Sequence, residues 1–140
     1  VIRYLLDTDT VTLWLHGDVT VTAAVRARDA RVIGVPVVVV EEIWDGWQAV
    51  IKQAKSAAKM AFGYGELTAA LSELRPFAIV PHTEAAIHRH AALKKLKLNV
   101  GGNDLKIAAV ALELGMTVVT NNEGDFRRVP GLAVENWATS

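Results

Sequence analysis

Apolar positions along the chain alternate between short β-prone runs and longer stretches in which they return every three or four residues. That alternation predicts strand followed by helix. Arg3-Tyr4-Leu5-Leu6 runs straight into Asp7-Thr8-Asp9-Thr10, which predicts a buried strand ending on an acidic turn that caps a helix through about Leu15. A second short helix is expected from Thr20 to Arg28, and Arg31 to Val35 reads as the next strand, β-branched as a strand buried on both faces should be. Pro36 interrupts it. Proline lacks a ladder N–H but suits a first helical turn, so a long helix is expected from about Val37 to Lys59. On that helix Ile43, Trp47, Val50 and Ala54 form a buried stripe, with Glu42, Asp45, Lys52, Lys55 and Lys59 on the other side.

The second half repeats the alternation. A helix from Tyr64 to Leu74 is broken by Pro76, Phe77 to Val80 is a third strand, and Thr83 to Lys97 is a helix. Gly101-Gly102 turns the chain, Asn103 can cap, and Asp104 opens a helix to Leu114 that is apolar nearly all round and must therefore be buried; Gly115 stops it. Thr117 to Thr120 is a fourth strand, Asn121 to Phe126 a polar loop, and Ala133 to Trp137 a last edge strand. The fold class is α/β, with a mostly parallel central sheet of four to five strands flanked by helices. At 140 residues the chain is expected to form one domain, 1–140.

Composition narrows the chemistry. Hydrophobic residues are 51% and charged residues 21%, enough apolar material for a core and too little charge for a disordered tail. Fifteen basic residues balance fifteen acidic ones, so a polyanion has to be held by local patches rather than by an overall basic field. There is no cysteine, which excludes a disulfide scaffold, thiolate zinc sites and a cysteine nucleophile, and fits a reducing, cytoplasmic setting. The most continuous apolar run, Val32 to Val40, is shorter than the ~20 residues of a bilayer span, and no membrane association is expected.

Parallel sheets bind ligands beyond the carboxyl ends of their strands, and here the loops at that edge are acidic. Asp7 follows the first strand, Glu42 lies in the helix after the second, Asp104 begins the helix leading into the fourth, and Asp125 follows that strand. Two unit charges ~4 Å apart at an effective dielectric of ~20 repel by ~4 kcal/mol, so such a cluster takes up protons or holds a cation. Hard oxygen donors without cysteine or paired histidines favour Mg²⁺ or Mn²⁺. Such an ion, with positions left open, polarises a phosphodiester oxygen and activates water, which points to hydrolysis of a nucleic-acid backbone. Lys106, Arg127 and Arg128 are the candidate contacts to an RNA strand. Arg89, Lys94, Lys95 and Lys97, with the lysines at 52, 55 and 59, can extend that track or form ordinary solvated faces.

Leu5-Leu6-Asp7-Thr8-Asp9, the valine run into Glu41-Glu42-Ile43-Trp44-Asp45-Gly46, Asn103-Asp104-Leu105-Lys106-Ile107-Ala108-Ala109, and Val119-Thr120-Asn121-Asn122-Glu123-Gly124-Asp125-Phe126 occur in series over nearly the whole chain. In that order they resemble the motifs of PIN-domain ribonucleases, and more narrowly of VapC toxins from type II toxin-antitoxin pairs. The resemblance implies a PIN-like three-layer fold and a metal-dependent endoribonuclease. It makes Asp7, Glu42, Asp104 and Asp125 the catalytic, metal-holding acids, with Asp9, Thr120 and Asn122 in support. Glu42 is preferred to Glu41 because it stands four residues before Gly46. It further implies an RNA substrate, a homodimer and a VapB-like antitoxin that covers the acidic site. Two positions depart from the pattern: Asp9 stands where the family commonly has Asn, and Asn99 lies where a basic residue often precedes the third acid.

Simpler readings compete residue by residue. Asp7, Asp9 or Asp104 taken singly is a helix cap. His16, His82, His88 and His90 share no metal spacing and read as surface residues. Trp44, Trp47, Phe62 and Tyr64 are either core or a partner surface. Leu5 to Val11 also resembles the opening motif of haloacid-dehalogenase-type phosphatases, in which Asp7 would be a covalent nucleophile. A PIN-like module that binds partners without catalysis is the remaining alternative.

Overall fold

The computed structural model describes residues 1–139. Five strands form one sheet: β1 (Tyr4–Leu6), β2 (Ile33–Pro36), β3 (Ala78–Val80), β4 (Thr117–Val119) and β5 (Val134–Glu135), in the order β3-β2-β1-β4-β5. All four pairings are parallel. The chain builds outward from β1 to β3 on one side, then returns to place β4 and β5 on the other. The reversal falls between β1 and β4, where the connections leave a crevice at the strands' carboxyl ends.

Seven helices connect the strands among the described residues: α1 (Thr8–Leu15), α2 (Val19–Arg26), α3 (Val37–Gln53), α4 (Ala57–Glu73), α5 (Glu84–Lys94), α6 (Gly102–Leu114) and the short α7 (Glu123–Phe126). Side-chain oxygens of Asp7, Asp18, Ser56 and Thr83 accept from backbone N–H groups at the starts of α1, α2, α4 and α5. Gly115 ends α6 in the left-handed conformation, φ +66°, which glycine adopts without a Cβ clash. Leu5, Leu6, Ile33, Val35, Val118 and Val119 are buried in the sheet, and Ile107 to Ala111 of α6 are buried against it. The nearly all-apolar helix is therefore central, as its composition requires. No described helix is long and apolar enough to cross a membrane.

Several boundaries differ from the sequence reading. The long helix expected to reach Lys59 stops at Gln53, and a new helix starts at Ala57 after a Ser56 cap. Lys52, Lys55 and Lys59 therefore do not share one helical face. The predicted stripe is only partly covered: Ile43 and Trp47 are half-buried and Val50 is exposed, while Val38, Val39 and Ile51 are the buried residues of α3. Residues 30–32 form a 3-10 turn before β2, and Pro36 lies inside the strand. β1 pairs with β2 only at Ile33 and Gly34, so the proline stands past the shared ladder on that side. The polar loop at 121–126 contains α7.

Gly34 sets how closely β2 can approach its neighbours. A Cβ there would stand 2.6 Å from Val80 Cγ2 and 3.0 Å from Ile2 Cγ2. Overpacking of this kind costs about 1–3 kcal/mol. Gly34→Ala is expected to lower unfolding free energy by about that amount in urea titrations with an unchanged m-value, and unchanged stability would contradict the packing described.

Candidate metal-binding active site

Asp7 stands where β1 ends and α1 begins. Its Oδ1 accepts from the Thr10 N–H at 2.8 Å, and its own N–H donates to the Val119 carbonyl at 3.1 Å. The Thr10 hydroxyl donates to the same carbonyl at 3.0 Å. These bonds fasten the start of α1 to the end of β4. Asp7 is 2% exposed, and burial pushes its carboxyl pKa above the ordinary aspartate value; hydrogen bonds from Thr120 and Thr10 oppose the shift without cancelling it.

Asp104 lies in the first turn of α6 and is half-buried. Its pKa is pushed up to about 6, first by burial and then by the negative charges of Asp7, Asp9, Asp125 and Glu42. The positive end of α6 favours an ionised Asp104, yet the surrounding carboxylates prevail. These charges act on Asp104 because Asp7 caps, and Asp9, Glu42 and Asp125 lie on, helices that begin at the carboxyl ends of the strands. Asp9 itself is exposed, in the first turn of α1.

The two outer acids are held by side chains. Glu42 Oε1 accepts from Asn103 Nδ2 at 2.7 Å, and Asp125 Oδ2 accepts from Asn122 Nδ2 at 2.8 Å. Asn122 is in turn oriented by its backbone N–H, which donates to Thr120 Oγ1 at 2.8 Å. Thr120 is fully buried beside Asp7. Asn103 was expected as a helix cap, but Gly101 occupies that position and no side chain caps α6. Its amide instead links α6 to α3. Adjacency to Asp104 was the available signal for that role, and the capping interpretation concealed it.

The basic candidates diverge. Arg127 pairs with Glu123 at 2.8 Å, and Arg128 Nη1 donates to Asp125 Oδ1 at 3.0 Å. The positive charge of Lys106 acts on His82 and His90. Those two histidines correct the surface assignment: both are half-buried, and His82 Nδ1 and His90 Nε2 are buried without a hydrogen-bond partner. His16 and His88 are exposed as expected. Trp44, Phe62 and Tyr64 are exposed, whereas Trp47 is half-buried and packs edge-to-face on Phe62 at 6.2 Å. Beside the acids, a groove of about 380 Å³ runs between α1, α3 and α4, sharing Thr8 and Glu42 with the site's rim.

Among the described residues, no three His, Asp or Glu side chains are disposed to hold one metal ion together. The donor set nevertheless fits a hard divalent cation in charge and chemistry: several carboxylates gather, two with raised pKa values, and one arginine offsets them.

The fold and site define a parallel α/β domain with acidic residues at the point where its strand order reverses. Residues 4–132 match the PIN domain family, and the chain belongs to that family. It is similar to Ribonuclease VapC2 of Rickettsia felis, 47% identical over 45 residues, which covers 32% of this chain and 34% of that one. It is also similar to the tRNA(fMet)-specific endonuclease VapC of Salmonella typhimurium, 43% identical over 58 residues, or 39% and 44% of the two chains. The matched stretches thus span less than half the length of these curated relatives. Among solved structures, the DNA-bound VapBC of Salmonella typhimurium superposes with a TM-score of 0.79 at 22% identity, covering 98% of this chain and 99% of that one. FitAcB of Neisseria gonorrhoeae does so with 0.75 at 23% identity, covering 96% and 97%. Family membership removes support from the phosphatase alternative, and the burial of Asp7 leaves it little surface for attack on phosphorus.

The raised pKa of Asp104 has a thermodynamic sign. Its proton is bound more tightly in the folded than in the unfolded chain, so the stabilisation present below about pH 4 is lost as pH rises through about 6. Asp104→Asn is therefore expected to raise the unfolding free energy at pH 7.5 by roughly 1–2 kcal/mol after allowance for solvent screening, seen as a higher melting temperature, and to do so much less at pH 4. Equal effects at both pH values would remove the electrostatic explanation.

Proposed function

We propose that this chain is a Mg²⁺- or Mn²⁺-dependent endoribonuclease of the VapC type, acting as one domain over residues 1–140. The observation that carries the reading is geometric: Asp7 is bonded to Val119 of β4 and to Thr10, and Asn103 ties Glu42 to the first turn of α6, beside Asp104. The raised proton affinity of Asp104 agrees with that arrangement. Asp7, Glu42, Asp104 and Asp125 would hold the cation, with Asp9 at the rim and Thr120 and Asn122 in support. When bound, a divalent ion there supplies positive charge to the phosphodiester oxygens and acidifies water.

The chain's own groups do the rest. Asp7 is fixed by the Thr10 N–H and by the β1–β4 crevice, so its carboxylate has little freedom to move away. Asn103 orients Glu42, and Asn122 orients Asp125. With no cation present, the raised Asp104 carboxyl holds a proton more readily than an ordinary aspartate, which limits the repulsion. The N-terminus of α6 provides N–H groups and a partial positive charge suited to an anionic strand. Of the basic candidates, Lys106 remains half-buried on α6, while Arg127 and Arg128 are engaged with Glu123 and Asp125.

A VapB-like antitoxin partner, a homodimer and a cytoplasmic setting belong to the same reading. Its support is the likeness to VapBC complexes, together with the exposed Trp44, Phe62 and Tyr64 on α3 and α4, two of the helices that line the groove reaching Glu42.

Asp7→Asn and Asp104→Asn are each expected to reduce metal-stimulated cleavage of cellular RNA by a factor of about 100 or more, with Glu41→Gln close to wild type. Sequencing of new RNA ends after brief induction checks this. Binding of RNA or antitoxin with no metal-stimulated cleavage of any RNA would favour the non-catalytic module instead.

A further inference from the structure

Arg128 is committed to the protein itself. Among the described residues it is the only Lys or Arg in an ion pair with any of Asp7, Asp9, Glu42, Asp104 and Asp125. Its Nη1 donates to Asp125 Oδ1 at 3.0 Å and to the Asn99 carbonyl at 2.8 Å. Asp125 Oδ2 is taken by Asn122, so both oxygens of this carboxylate are occupied. Asn99 has φ +60° and Lys97 φ +51°, left-handed conformations that non-glycine residues rarely adopt. They belong to the loop that leads into α6 and hence to Asp104. One guanidinium therefore joins the acid on α7 to the strained approach of the helix that carries another acid.

We propose that Arg128 is a positioning residue that serves as an internal counter-cation: it neutralises Asp125, holds the 97–101 loop, and competes with the divalent ion for Asp125. The proposal rests on the metal-site reading above. It differs from the strand-contact role expected of Arg128 in where the charge acts: Nη1 places it on Asp125 and the 97–101 loop, while the donors of Nη2 and Nε are not used in those two bonds. The bonds from Arg128 and Asn122 leave each Asp125 oxygen a further lone pair, so the competition is one of charge: an ion approaching Asp125 meets a carboxylate already neutralised by Arg128 and is repelled by the guanidinium beside it.

The test uses the full chain, with Mg²⁺ as the probe and thermal unfolding as the readout, so RNA cleavage is not needed. Arg128→Gln is expected to lower the Mg²⁺ concentration at half-maximal stabilisation by about threefold or more, because a competing charge is gone. Arg128→Lys should restore a midpoint within about twofold of wild type. Amide exchange at residues 97–101 should rise in Arg128→Gln and also in Asp125→Asn, which breaks the same pair from the other side. An unchanged or higher Mg²⁺ midpoint in Arg128→Gln overturns the proposal, as does a raised KM for RNA with no change in midpoint. If Arg128→Gln does not fold, unchanged exchange at 97–101 in Asp125→Asn overturns it. A wild-type protein with no Mg²⁺ response would instead overturn the metal-site reading, and the proposal with it.

Discussion

The adjacency of β1 and β4 is the constraint on which the site depends. Leu6 is in register with Val119, and the Val119 carbonyl accepts from both the Asp7 N–H and the Thr10 hydroxyl. That single oxygen joins the first strand, the first helix and the fourth strand. It also brings Thr120, the first residue after β4, to the side of Asp7 although the two are far apart in sequence. Parallel pairing is what makes this possible, since it puts the carboxyl ends of both strands, and the polar residues that follow them, at the same edge.

Gathering carboxylates opposes folding, so something rigid has to impose it. The buried run Ile107 to Ala111 mounts α6 on the sheet, and with it Asp104 at the helix's first turn. Val38 and Val39 do the same for the start of α3, and Glu42 follows just where burial gives way to solvent. Apolar burial of a single side chain contributes about 1.5–3 kcal/mol, so a few such contacts offset the desolvation and the repulsion that together raise Asp104 to about 6. The stress is retained as raised proton affinity rather than relieved by movement.

The alternation of strands and helices was legible because each strand is a short β-branched or leucine run bounded by polar residues. The acids were legible for a related reason: they follow strands or open helices, and parallel topology converts those sequence positions into neighbours. What escaped were features that depend on contacts between elements. The break at Ala54 to Ser56 is hidden because residues on both sides favour helix, and only the Ser56 side chain, accepting from the Lys59 N–H, marks the new start. His82 and His90 carry no spacing that betrays burial, yet the folded chain covers one ring nitrogen of each. Asn103 looked like a cap because its partner, Glu42, is 61 residues away.

Arg128 illustrates why charge near an acidic site does not by itself indicate a substrate contact. An arginine three residues after an aspartate in a helical turn can reach back to it, as Arg128 does to Asp125, and the pair is then largely self-satisfied. Arg127 does the same with Glu123 at a spacing of four. The local turn thus pairs both guanidiniums with internal partners, and of the five acids at the site Asp7, Asp9, Glu42 and Asp104 are left without an ion-paired cation among the described residues. The excess negative charge is concentrated toward the β1 and α6 side of the crevice, where the buried Asp7 and the raised Asp104 lie, and that asymmetry separates the inner acids from Asp125 at the arginine-bearing rim.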